Sequence, residues 1–255
     1  MTRANAALLP VVVTSAAEGS RAVAAEIAEL IRERRRTGGA VVLGLATGRT
    51  PLGIYDELAR LHAEDGLDFS GVTTFNLDEF LDLAPDHAQC FRRYMREEFF
   101  ERVGIDAARA WLPKCDVAPA QIDAHCRDYE RRIAQAGGID IQVLGIGRNG
   151  HIGFNEPGSA RESRTRAVEL DALTREDAAA QFGGIGHVPR RAITMGIATI
   201  LESRRVRVLA FGDGKREVVR RALEEPIGPA MPATFLRGHA DVRMYVDRAA
   251  YAQAQ

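Results

Sequence analysis

Short apolar runs and longer amphipathic stretches alternate along the whole chain. The runs PVVVT (10–14), GAVVLGLAT (39–47), VTTFNLDEF (72–80), IDIQVLGIG (139–147), RVRVLAFGD (205–213) and DVRMYVDRAA (241–250) are nearly continuous in apolar and β-branched residues. Runs of that kind suit strands covered on both faces. Helical spacing fills the intervals near 19–36, 51–65, 88–101, 119–136 and 214–225, and AITMGIATILES (192–203) also reads as a helix. Strand followed by helix, repeated, predicts an α/β fold: a doubly wound, mostly parallel sheet with helices on both faces. No repeat, linker or low-complexity segment interrupts the pattern, so residues 1–255 are expected to form a single domain. In such sheets ligands bind beyond the carboxyl ends of the strands, so chemistry is sought just after each run.

Those positions are the unusual ones. After the second run comes ATGRTPLGIYDEL (46–58), where Thr47, Gly48, Arg49 and Thr50 form a turn and Pro51 suits the first helical position. Free amides at a helix start, flanked by hydroxyls, make a phosphate site. An ordinary strand–helix turn explains Gly48 and Pro51 but not both threonines. The third run ends in FNLDEF (75–80), where Asp78 and Glu79 interrupt apolar residues. Either Asp78 caps the next segment or a carboxylate is held at the ligand edge as a general base.

The fourth run leads into GIGRNGHIGFNEPG (145–158), whose first six residues fit the dinucleotide pattern G-x-G-x-x-G. That pattern requires a helix opening in the loop, and Pro157 stops one seven residues after Gly150. In its place stand Asn149, His151, Asn155 and Glu156, a histidine with polar neighbours to orient it. A satisfied core histidine is the alternative for His151 taken alone. After the fifth run, GDGKRE (212–217) puts Lys215 at a helix start, where a cation opposes the helix dipole unless an anion is present. Together with the turn at 47–50 this describes a phosphate clamp. His239, in PATFLRGH, has no assigned place.

Composition narrows the partners. Lys plus Arg number 34 against 35 Asp plus Glu, a balance without the electrostatic footprint of a nucleic-acid or anionic-membrane binder. The three cysteines, Cys90, Cys115 and Cys126, are widely spaced and odd in number, which argues against a disulfide framework. Neither they nor the histidines show metal-ligand spacing, so no metal is expected. The opening MTRANAALLPVVVTSAAEGS reads as a strand entering a helix rather than a signal peptide, and no apolar run approaches the roughly 20 residues of a membrane span. A cytoplasmic protein is expected.

The motifs LGLATGRTPLGIY, VTTFNLDEF, GIGRNGHIGFNEPG, SRTR and FGDGK stand in the order and spacing of the glucosamine-6-phosphate deaminase family, also called glucosamine/galactosamine-6-phosphate isomerase. The resemblance runs from about residue 10 to 247, and the combination of FNLDE with GHIGFNEPG is highly specific. It implies conversion of an amino-sugar 6-phosphate and water to a ketose 6-phosphate and ammonia, without an organic cofactor. By the same resemblance His151 matches the ring-opening histidine, Glu156 the carboxylate that orients it, and Asp78 the base that moves a proton from C2 to C1. Phosphate matches fall on Thr47, Gly48, Arg49, Thr50 and Lys215.

Two positions depart from the glucosamine-type pattern. Asn149 stands where aspartate is usual, and this amide, with GDGK and MPATFLRGH, resembles the galactosamine-6-phosphate branch. Gln181 stands where a phosphate-binding arginine is usual, and Arg49, in a turn position that is usually small, is the expected replacement. Of the effector-site matches, Ser159 and Arg166 are present, whereas Ala160 and Val168 differ. The implied partner is a small amino-sugar phosphate, and a homo-oligomer is compatible with this reading. Two other functions remain open. A sugar-phosphate lactone hydrolase, as in the related 6-phosphogluconolactonases, would use the turn and His151 but leave Asp78 and Glu156 idle. A non-enzymatic sugar-phosphate sensor would tolerate Asn149 and Gln181.

Overall fold

The computed structural model describes residues 8–252. Its strands are β1 (Leu9–Val13), β2 (Val41–Leu45), β3 (Val72–Asn76), β4 (Asp78–Phe80), β5 (Ala110–Trp111), β6 (Ile141–Leu144), β7 (Arg166–Glu169), β8 (Arg191–Thr194), β9 (Arg205–Ala210) and β10 (Val242–Asp247). The helices are α1 (Ala16–Arg36), α2 (Leu52–Asp65), α3 (Phe91–Met95), α4 (Glu101–Val103), α5 (Ile122–Gln135), α6 (Ala172–Ala179), α7 (Ile197–Leu201), α8 (Arg216–Glu224) and α9 (Arg248–Tyr251). A π turn, Arg96–Phe100, joins α3 to α4.

Seven strands form one parallel sheet in the order β1-β10-β9-β6-β2-β3-β5. Alternate residues of each strand feed two cores. Leu43, Ile141, Val143 and Leu209 meet α1, α2 and the helix through Val103, while Val42, Phe75, Leu144 and Val208 meet α5, α7, α8 and α9. The expected doubly wound α/β architecture is therefore present. Neighbouring strands β2 and β6 send their chains away in opposite directions, β2 toward β3 and β6 toward β9. A crevice opens at such a switch point, and the loops after β2 and β6 border it.

Three segments differ from the sequence expectation, the last run among them, whose strand ends at Asp247 where α9 begins. The run 72–80 is not one strand: β3 ends at Asn76, and Asp78 begins β4 in a separate antiparallel sheet, β4-β8-β7. Leu77 lies between them and serves both sheets, its amide donating to the Leu45 carbonyl (2.9 Å) and its carbonyl accepting from the Met195 amide (2.7 Å). The stretch 192–203 is likewise split into β8 and α7. The break falls at Gly196, where a Cβ would stand 2.0 Å from the Ser163 carbonyl oxygen, so the close pass of that loop ends the strand. The small sheet's strands are three or four residues long, too short for periodicity to declare.

One charged side chain is fully buried in the main sheet. Arg207, on β9, donates from Nε and Nη2 to Glu26 of α1 (2.6 Å each) and from Nη1 to Asp241 (2.9 Å). Breaking such a pair leaves an uncompensated buried guanidinium. Glu26→Ala is therefore expected to lower stability by about 3 kcal/mol in urea unfolding, and Glu26→Ala with Arg207→Met to recover most of that loss. A single variant as stable as the parent would show that Asp241 and the carbonyls suffice.

Candidate active site

At the carboxyl ends of β2 and β6 the structure holds a cavity of about 540 Å³. Of the residues expected from the sequence to do chemistry, all but Asn155 reach its wall or stand directly behind it. Thr47, Gly48, Arg49, Thr50, Lys215, Asp78 and His151 all line it. Asn149 and Glu156 stand behind His151. Metal-binding clusters of His, Cys, Asp or Glu are absent among the described residues.

The turn after β2 leaves its amides free. Gly48 has φ 92°, a left-handed conformation that glycine adopts without strain. Among the described residues, the amides of Thr47, Gly48, Arg49 and Thr50 donate no hydrogen bond within the protein. Lys215 lies at the start of α8, and its Nζ donates to the Ile146 carbonyl (2.7 Å), which fixes the ammonium at the cavity wall. Burial lowers its pKa, as expected of a cation held there without a counter-ion against it. Arg49 is exposed at the rim. Gln181 also lines the cavity, near Asp177, whose carboxylate accepts from Arg148 Nε (3.1 Å).

Asp78 is buried, 7% exposed, and its carboxylate accepts no hydrogen bond among the described residues. Burial, and then the charge of Glu79, push its pKa up to about 8. Alternation along β4 sends Glu79 the opposite way. Its fully buried carboxylate accepts from the amides of Phe80 (2.9 Å), Phe91 (3.0 Å) and Arg92 (3.0 Å), so it caps α3 from outside. Burial outweighs those bonds and leaves Glu79 at about 7. The cap of the next segment is therefore Glu79 and not Asp78.

The loop after β6 sets the imidazole. His151 Nδ1 lies 2.8 Å from Asn149 Oδ1, 3.2 Å from Thr174 Oγ1 and 3.4 Å from Glu156 Oε2. Asn149 Nδ2 donates to Glu156 Oε2 (2.8 Å), and because a carboxylate only accepts, this fixes which end of the amide faces the histidine. Asn149 Oδ1 must then accept, so Nδ1 carries the proton and a neutral His151 has its Nε2 lone pair free. Burial raises the Glu156 pKa, but bonds from His151, Thr174 and Asn149 bring it net below the usual range, so it is an anion. Glu156 therefore faces the imidazole both directly, at 3.4 Å, and through Asn149.

Three residues have places that differ from their sequence grouping. Asn155 is a brace: it is fully buried and donates to the Ile152 (2.8 Å) and Met195 (2.7 Å) carbonyls, while its oxygen accepts from Arg166 (2.9 Å). His239 is buried away from the cavity against the Ser203 carbonyl (2.8 Å). Thr174, on α6, was not expected at the site. Its signal, an Asp171 N-cap opening a helix that follows no main-sheet strand, is one that strand-end reasoning passes over. Phe80, Phe91 and Phe154 complete an apolar wall.

Comparison with known proteins agrees with this geometry. A family model described as glucosamine-6-phosphate isomerases/6-phosphogluconolactonase matches residues 14–244. The glucosamine-6-phosphate deaminase of Rhodopirellula baltica is 49% identical over 226 residues, covering 89% of this chain and 89% of that one. The enzyme of that name from Bacillus velezensis is 45% identical over 233 residues, covering 91% and 94%. A solved structure described as a monomeric glucosamine-6-phosphate deaminase superposes with a TM-score of 0.89 at 42% identity, covering 94% of this chain and 97% of that one. The 6-phosphogluconolactonase of Trypanosoma brucei, 22% identical with a TM-score of 0.76, shares the fold over 96% and 98% of the two chains. By family model, sequence and structure, the chain belongs to the glucosamine-6-phosphate isomerase/6-phosphogluconolactonase family.

Proposed function

We propose that this chain, working as one domain, is a glucosamine-6-phosphate deaminase that needs no organic cofactor. The observation that carries the reading is Asp78: a buried carboxylate without a protein partner, opening on the same cavity as His151. Hydrolysis of a lactone removes no proton from carbon, and His151 alone could activate its water. Proton abstraction next to a carbonyl requires a base, and a raised pKa suits Asp78 to work near neutral pH.

The steps follow from the groups present. The neutral His151 takes the proton of the anomeric hydroxyl on Nε2 and returns it to the ring oxygen, which opens the sugar. The Asn149–Glu156 pair holds the ring and favours the transient imidazolium. Asp78 then removes the proton on C2, leaving an enolamine, and delivers it to C1 from the same face. The resulting C2 iminium adds water and expels ammonia, giving the ketose phosphate. The amides of 47–50, Lys215 and Arg49 hold the phosphate, whose two charges need compensation inside a cavity. The planar fork of Arg49 suits two phosphate oxygens.

Ammonia release from glucosamine-6-phosphate, with galactosamine-6-phosphate as the C4 epimer and a 6-phosphogluconolactone as the competing substrate, tests the function directly. Deamination of the gluco substrate is expected; turnover of the lactone alone would sink the proposal. Asp78→Asn should cut kcat by about 10² to 10⁴ while leaving binding nearly intact, because a base acts in the transition state.

The pH dependence has a fixed sign. Asp78 works only when ionised, and its pKa is raised to about 8. The acid limb of kcat/KM should therefore lie near 8 rather than near 4. Glu79→Gln removes a like charge beside it, so the limb should move to lower pH. A limb that stays in place would mean that Glu79 does not act on the base.

At the phosphate end, Arg49→Ala and Lys215→Ala are each expected to weaken binding of the phosphorylated sugar by about 1.5 to 3 kcal/mol, the range for a hydrogen bond to a charged group. Calorimetry on the unphosphorylated sugar should show no change. A loss confined to Lys215→Ala would remove Arg49 from the site.

A further inference from the structure

The amides of the 47–50 turn serve an anion only while the turn's carbonyl oxygens point elsewhere. A peptide flip at Gly48, which either sign of φ permits, would swing a negative oxygen toward the cavity. Two phenols oppose this. The Tyr55 hydroxyl donates to the Ala46 carbonyl, and the Tyr94 hydroxyl donates to the Gly48 carbonyl at 2.6 Å. Tyr55 belongs to α2, the helix that the turn itself begins, whereas Tyr94 comes from 46 residues away and lines the cavity.

We propose that Tyr94 is a positioning residue for phosphate recognition, holding the Gly48 peptide so that the turn's amides face the ligand. This rests on the reading of 47–50 as the phosphate site. Tyr94 is well anchored for the task. It lies one turn into α3, whose N-cap, Cys90, provides no side-chain hydrogen bond. The cap comes instead from Glu79, which accepts from the first two helical amides. One strand, β4, thereby carries the base into the cavity on one face and secures the helix of Tyr94 on the other. Burial raises the Tyr94 pKa, so the hydroxyl remains a donor throughout the working pH range.

The test uses the full chain and Tyr94→Phe, which keeps the ring and removes only the hydroxyl. Inorganic phosphate is titrated by calorimetry, and steady-state kinetics are run on glucosamine-6-phosphate. The phosphate Kd and the KM are expected to rise together by about 3- to 10-fold, the weight of one neutral hydrogen bond, with kcat changed by less than about 2-fold. Binding of unphosphorylated glucosamine should not change. An unchanged phosphate Kd, or a fall in kcat at constant KM, would overturn the proposal, as would a parent protein that binds no phosphate. The phosphate titration does not depend on turnover. A chain inactive on amino sugars whose phosphate affinity still falls on Tyr94→Phe would leave Tyr94 in this role and refute the deaminase reading.

Discussion

Asp78 and Glu79 are two consecutive carboxylates buried on opposite sides of a three-residue strand, and the site is arranged around the cost of keeping them there. Taking a carboxylate out of water is expensive unless hydrogen bonds replace the lost hydration. Glu79 receives that replacement from three amides, and in return gives α3 its start. Asp78 receives none. Its proton is therefore held more tightly than in water, and its neighbour's charge tightens the hold further. As a pKa raised on folding, it stabilises the folded protein at low pH, and this contribution fades as pH rises toward about 8. The same balance makes Asp78 a stronger base than an exposed aspartate, so stability and chemistry pull in opposite directions on one residue.

The two ends of the cavity solve different electrostatic problems. On the proposed reading the ligand's phosphate brings the charge to the turn at 47–50, and the protein meets it with unbonded amides and Lys215, a cation whose pKa burial lowers. At the sugar end the protein must supply a neutral imidazole with one defined tautomer. Asn149 achieves this as an amide between an anion and a histidine, with one end able only to donate to Glu156 and the other only to accept from His151. An aspartate in its place would face Glu156 across 2.8 Å, where two charges repel unless a proton is shared.

Much of this was legible in the chain because the parallel sheet forces its chemistry to the strand ends, and runs of apolar residues mark where strands end. Thr47 to Thr50, Asp78, His151 and Lys215 were all found that way, and all line one cavity. Partners supplied by other elements were not legible. Tyr94 and Thr174 sit inside short helices where nothing in the local pattern distinguishes them from packing residues. The division of labour between Asp78 and Glu79 needed the direction of β4, which a continuous run from Val72 to Phe80 concealed. Asn155 looked like chemistry because it sits among chemical residues, and only its burial and its carbonyl partners reveal a brace.

The peptide at Leu77, bonded on one side to the seven-stranded sheet and on the other to the three-stranded one, has a consequence for how the molecule breathes. Opening events in a folded chain follow cooperative blocks bounded by weak junctions. At Leu77 both the amide and the carbonyl are committed, with Asp78 one position beyond it. Leu77 thus ties the small sheet to the end of β2, so Asp78 and the turn at 47–50 share one hydrogen-bonded path through the backbone.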